Sequence, residues 1–145
     1  AQQPTPEVAY REITAPAGEH QQITLADGSE IWLRAASTLR YPENFIGDSR
    51  EVWLEGQAFF NIAQRKTQPF IVHAQEAWVE VVGTTFDLKA YPEEGTLSVA
   101  VSEGLVRLGV KEELLTEVAA QQQAIFDTQT QEASLLPFNT QAAGA

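Results

Sequence analysis

Apolar and polar residues alternate along most of this chain, and glycines interrupt the alternation at intervals. Successive side chains of a strand point to opposite faces of the sheet, so a period of two predicts strands with one buried face. Ile23 and Leu25 alternate with Gln22 and Thr24, Asp27-Gly28 marks a reversal, and Ile31 and Leu33 resume the apolar register. Asp-Gly between two such runs is a strong hairpin signal, because both residues tolerate the left-handed backbone of a tight turn. An edge strand is expected near Tyr10 to Thr14, and a short one at Leu39 to Tyr41. Longer runs follow at Arg50 to Leu54, Gln57 to Ala63, Pro69 to Ala74, Trp78 to Val82, Thr84 to Lys89, Leu97 to Val101, Leu105 to Val110 and Gln121 to Phe126. Lys111 to Ala120 is the one place where helix formers accumulate, and it is compatible with a single helical turn or a loop.

Four glycines, Gly28, Gly56, Gly83 and Gly104, each fall between two predicted strands. Their spacing of roughly 20 to 30 residues is that of solenoid rungs, each of which must pack on its neighbour to bury a face. The predicted class is therefore all-β, as a solenoid-like stack of short strands with Gly-centred bends. A jelly roll or β-sandwich is the alternative, since either gives a similar run of short strands. The division expected is a linker with one edge strand over 1–18, a β domain over 19–127 and a polar tail over 128–145.

The length of 145 residues suits one domain with a sizeable core, and 43% hydrophobic residues suit a folded one. A formal net charge of -11, from 20 acidic and 9 basic residues, argues against nucleic acid and against an anionic membrane surface. With no cysteine, structural disulfides, thiolate metal sites and a cysteine nucleophile are excluded. Methionine is absent even at position 1, as expected of a piece of a longer chain. No apolar run reaches the roughly 18 residues of a membrane helix, so a membrane segment or targeting signal is expected outside this piece.

Candidate chemistry is sparse. His20 and His73 have no histidine or acidic residue at a metal-ligand spacing, so no metal or other cofactor is expected. Glu55, Glu80 and Asp87 are the carboxylates that a glycosidase pair would draw on, yet acids on polar strand faces are far more often solvated. No serine-nucleophile signature or phosphate-cradling loop exists, and no enzymatic activity is expected. Trp32, Trp53 and Trp78 each share a strand face with charged residues, which points them away from the apolar face. Either another segment covers them, or they form an aromatic strip that docks a partner.

Leu25-Ala26-Asp27-Gly28-Ser29, Tyr41-Pro42, Val52 to Phe60, Pro69-Phe70-Ile71-Val72, Val82-Gly83-Thr84-Thr85-Phe86 and Val101 to Val106, in that order, resemble the periplasmic domain of the FecR family. The resemblance runs from about Gln21 to Phe126. Its signature positions here are Asp27, Gly28, Gly56, Phe59, Phe60, Pro69, Phe70, Gly83, Thr84, Phe86, Glu103 and Gly104. The family usually has glutamate after Gly56, where Gln57 stands, and a glycine before its last strand, which Val118 to Gln121 lacks. The resemblance implies a single-pass anti-sigma regulator whose cytoplasmic part holds an extracytoplasmic-function sigma factor. Its periplasmic part receives a signal from the signalling domain of a TonB-dependent outer-membrane transporter of iron chelates or glycans. This chain would be that receiving domain; the rivals are a carbohydrate-binding or a purely structural β-domain.

Overall fold

The computed structural model describes residues 9–137. Thirteen strands occupy most of them: β1 (Tyr10–Ala15), β2 (Gln21–Thr24), β3 (Glu30–Leu33), β4 (Ser37–Pro42), β5 (Arg50–Asn61), β6 (Phe70–Ala74), β7 (Ala77–Val81), β8 (Thr85–Ala90), β9 (Thr96–Glu103), β10 (Leu105–Val110), β11 (Glu113–Ala119), β12 (Gln122–Asp127) and β13 (Glu132–Pro137). Among the described residues the only helical element is one 3-10 turn, Pro92–Glu94. The chain is all-β, as its alternation predicts.

The strands divide between two sheets that share β5. The first runs β1-β4-β5-β6-β7-β10-β11. The second runs β2-β3-β5-β8-β9-β12-β13. Arg50 to Glu55 of β5 pair with β4 and β6 in the first sheet, while Gly56 to Asn61 pair with β3 and β8 in the second. All ladders but the parallel β5–β6 pair are antiparallel. Within the all-β class, with its Gly-centred bends, this pairing lies nearer the two-sheet alternative than the solenoid-like stack.

The glycine bends explain the difference. Gly28 turns the β2–β3 hairpin within the second sheet, but the other three carry the chain between sheets. Gly56 passes it from the first sheet to the second inside one continuous strand, where two strands are expected from the sequence. Its φ is +109, and a β-carbon there would lie 2.8 Å from the Ser37 Cα, so both backbone and space require glycine. Gly83 joins β7 to β8 without a positive φ; it is required by close approach, since a β-carbon would lie 2.7 Å from the Gln64 Cα.

The inner faces meet in one core, where Ile31, Leu33, Leu39, Val52, Phe60, Phe70, Val72, Phe86, Leu88, Leu97 and Phe126 are fully buried. Phe60 of the second sheet stacks on Phe86 at 4.8 Å and meets Phe70 of the first edge-on at 6.5 Å. Each such side chain contributes about 1.5–3 kcal/mol.

Two segments depart from expectation. Lys111 to Ala120 supplies strand β11, because pairing with β10 from Leu105↔Ala119 to Val110↔Glu113 and burial of Val118 outweigh local helix propensity. The segment expected as a tail holds β13, paired with β12 along all six residues. The expected linker over Ala1 to Val8 lies outside the described residues, as does the tail beyond Pro137.

Candidate functional site

Directly opposed residues share a face of a sheet, and the ladder registers of the first sheet line up one row across its outer face. The row reads Glu12, Arg40, Trp53, His73, Trp78, Gly109 and Leu114, one residue from each of β1, β4, β5, β6, β7, β10 and β11. The sequence separates these residues widely, and only the strand order brings them together.

The centre of the row is a stack. The Arg40 guanidinium lies 4.4 Å from the ring centre of Tyr10 and 5.3 Å from that of Trp53. His73 stacks on the indole of Trp53 from the neighbouring strand at 5.3 Å and 18°, and Tyr10 meets Trp53 edge-on at 5.7 Å. Because β4 and β6 flank β5 on opposite sides, Arg40 and His73 approach the half-buried Trp53 ring from either side. A sugar ring stacks on an open aromatic face, so this geometry does not favour the carbohydrate reading.

Acidic residues hold the stack in place. The imidazole Nε2 of His73 donates to Glu51 Oε1 at 2.7 Å, and Ser49 Oγ donates to Glu51 Oε2 at 2.8 Å. The hydrogen bond from His73 holds the Glu51 carboxyl below its ordinary value, against the upward push of partial burial. Further along the face, Arg107 pairs with Glu80 at 3.0 Å and with Glu117 at 3.8 Å. Trp78 is tied down differently: its Nε1 donates to the Lys111 carbonyl, and its ring lies over Gly109, where any β-carbon would overlap it.

Beside Trp53 opens a groove of about 350 Å³ lined by Glu12, Thr38, Arg40, Glu55, His73 and Gln75, among others, with Pro92 at one wall. Glu12 and Glu55 have no ion-pair partner among the described residues.

Trp32 lies elsewhere. It sits on the outer face of the second sheet, opposite Phe59, at a ring separation of 5.6 Å. The three indoles therefore form no single strip: Trp53 and Trp78 share a row, and all three are half-buried. Asp87 is in line with Phe59 on this second face and accepts a bond from Gln57 Nε2 at 2.8 Å. Burial raises its carboxyl above the ordinary value, with the Gln57 bond opposing the rise. Glu55, Glu80 and Asp87 thus do not converge: two lie on the first sheet, Glu80 paired to Arg107, and Asp87 on the second. No group of three potential metal-binding side chains exists among the described residues, and His20 is a solvent-exposed loop residue.

Most of the positions that carry the resemblance lie at the joint between the sheets or in the core beneath it. Asp27, Ser29 and Arg50 form a buried polar hub there. Arg50 Nη1 donates to Asp27 Oδ2 at 2.6 Å, with both side chains fully excluded from solvent. Three further N–H groups reach the carbonyls of Gln68, Ala63 and Val82 at 2.8, 2.8 and 3.1 Å. Ser29 Oγ donates to Asp27 and accepts the Ala63 N–H. The Pro69 carbonyl accepts the Arg50 N–H at 2.7 Å, which sets the start of β6 against β5. Thr84, buried between the crossings, donates to the Leu105 carbonyl at 3.1 Å, and a β-carbon at Gly104 would press on Thr84 Oγ1 at 2.7 Å. Phe60, Phe70 and Phe86 fill the core beneath, Phe59 lies outside against Trp32, and Glu103 is exposed at the end of β9.

Residue Arg50 was not singled out by the sequence, although a signal exists. It has the parity of Val52 and Leu54, so the period of two places a cation on the buried face.

Residues 11–107 match the family of the FecR protein. The chain belongs to the FecR family. Two crystal structures of a candidate anti-sigma factor from Parabacteroides distasonis ATCC 8503 are similar to it. One is 34% identical with a TM-score of 0.87 over 94% of this chain, and the other 35% identical with a TM-score of 0.86 over 92%. The chain spans 63% of the length of each. A comparison with curated proteins finds no match. No helix among the described residues is long and apolar enough to cross a membrane.

Proposed function

We propose that this FecR domain is the signal-receiving part of an anti-sigma regulator, held in the periplasm, which relays the occupancy of a TonB-dependent outer-membrane transporter to an extracytoplasmic-function sigma factor. The family match across residues 11–107 carries the reading, and the likeness to candidate anti-sigma factors supports it. The sigma factor would be held by a part of the parent protein outside this chain.

The architecture suits a relay. The Gln57 N–H donates to Ser37 Oγ at the Gly56 bend, and Thr84 Oγ1 donates to the Leu105 carbonyl between the Gly83 and Gly104 crossings, bracing that favours the two sheets moving as one body. A stiff body conveys docking on one face to the chain that leaves another without dissipating it in internal motion. Among the described residues the acids and histidines do not converge into a catalytic set. In this reading the partner is the transporter's signalling domain, and Trp53 and Trp78 belong to the docking face.

The test is a titration of the domain, and of its full-length parent, with the signalling domain of the transporter that the parent serves. Saturable binding supports the proposal. Failure of both to bind overturns it.

A further inference from the structure

We propose that the groove beside Trp53 is the docking site for a lysine or arginine side chain of a protein partner, received between Glu12 and Glu55 with the Trp53 ring as the apolar floor. This deepens the receiving-domain reading and rests on it for the identity of the partner. The groove itself is argued from its own chemistry.

Three observations select the occupant. Tyr10, Arg40 and Trp53 are of the residue types that dominate binding at protein interfaces, and they are already locked in one arrangement by mutual stacking. Side chains fixed before binding lose little entropy on it. Arg40 and His73 approach the Trp53 indole from the strands on either side, which argues against a sugar stacked on that ring. The charges of the groove then decide the sign of the partner. Arg40 is engaged by two rings and His73 by Glu51, whereas Glu12 and Glu55, though they share the groove with Arg40, form no salt bridge among the described residues. The chain as a whole carries a net charge of -11, which steers a basic surface toward it. A long basic side chain suits such a groove, with its methylenes against the Trp53 ring and its charge at the carboxylates.

The position of the groove links docking to the N-terminal strand. Glu12 and Tyr10 both belong to β1, which pairs with β4 alone. An occupant of the groove therefore touches an edge strand.

The decisive experiment has two arms. In the first, the domain with Trp32→Phe and Trp78→Phe, where Trp53 is the sole indole, is titrated with a tetralysine peptide while fluorescence is followed. A saturable change that disappears in Glu12→Gln/Glu55→Gln, with an unchanged circular dichroism spectrum, is expected. No saturable response, or one unaffected by the double substitution, overturns the groove whether or not the transporter domain binds. In the second arm the transporter signalling domain is titrated against the natural sequence and against Trp53→Ala, Glu55→Lys and Trp32→Ala. About tenfold weaker binding is expected for the first two, and binding equal to that of the natural sequence for Trp32→Ala. Equal binding by all four chains overturns the groove and leaves the receiving-domain reading standing. Absence of binding even to the natural sequence overturns that reading, while the peptide arm still judges the groove.

Discussion

Arg50 and Arg40 lie on neighbouring strands of the first sheet and do opposite work. Arg50 is fully buried at the joint, where Asp27 and three backbone carbonyls accept four of its five N–H donors, and the Phe70 ring lies 5.3 Å from its guanidinium. Arg40 is exposed and is held by the Tyr10 and Trp53 rings, with no ion pair among the described residues. The first arrangement presents no donor to a partner and serves to fix the sheets against each other. The second leaves hydrogen-bonding capacity and a half-buried aromatic ring at the surface, which is what an interface uses. Asp27 and Phe70, two of the positions that carry the resemblance, belong to the first site, and the groove belongs to the second.

The strongest way to break the contrast is Arg50→Ala, which leaves Asp27 buried without its counter-charge. A loss of about 3–5 kcal/mol is expected in urea unfolding, whereas Arg40→Ala is expected to cost about 1 kcal/mol or less. Equal losses would erase the distinction. Gly56→Ala comes next: it combines a left-handed φ with overlap on Ser37, and should cost about 2 kcal/mol or more. Trp53→Ala is expected to cost about 1 kcal/mol of stability, far less than either joint substitution, and this is checked by the same unfolding curves.

The pH dependence is smaller and has two signs. Glu51 has a lowered carboxyl pKa in the fold, so its contribution is present above the ordinary carboxylate value and is lost as pH falls through the folded one. Glu51→Gln should lower the melting temperature near neutrality, and the gap should close in acid. Asp87 has a raised pKa, so the folded state binds the proton more tightly and stability falls as pH rises from the ordinary value through the raised one. Asp87→Asn should raise the melting temperature slightly at neutral pH, with the gain vanishing below the ordinary carboxylate range. Melting curves of both variants against pH, read side by side, separate the two.

Much of the fold was legible in the alternation because it is local. The hairpin at Asp27-Gly28, the apolar parity of β5, β6, β7 and β9, and the edge strand β1 all follow from neighbours in the chain. Segment 113–119 was obscured because its glutamates and leucines favour helix in isolation, and only pairing with β10 makes it a strand. Gly56 was read as the end of a strand because a residue of positive φ usually ends one; here the partners change while the strand continues. Of the candidate site, the three tryptophans were visible as large rings on polar faces. Their neighbours were not, since Arg40, Trp53 and His73 become adjacent only through lateral pairing across three strands.

By itself the sequence determined which side of each strand meets the core, since burial of alternate residues is a property of the pleat and needs no knowledge of the partner strand. It also determined where the backbone had to be free of a side chain. Strand order, the sharing of β5 between two sheets and the resulting Arg40–Trp53–His73 stack were decided by tertiary structure alone. Their physical reason is non-local: lateral hydrogen bonds and facing apolar surfaces are satisfied jointly by segments tens of residues apart, and no window of sequence contains that condition.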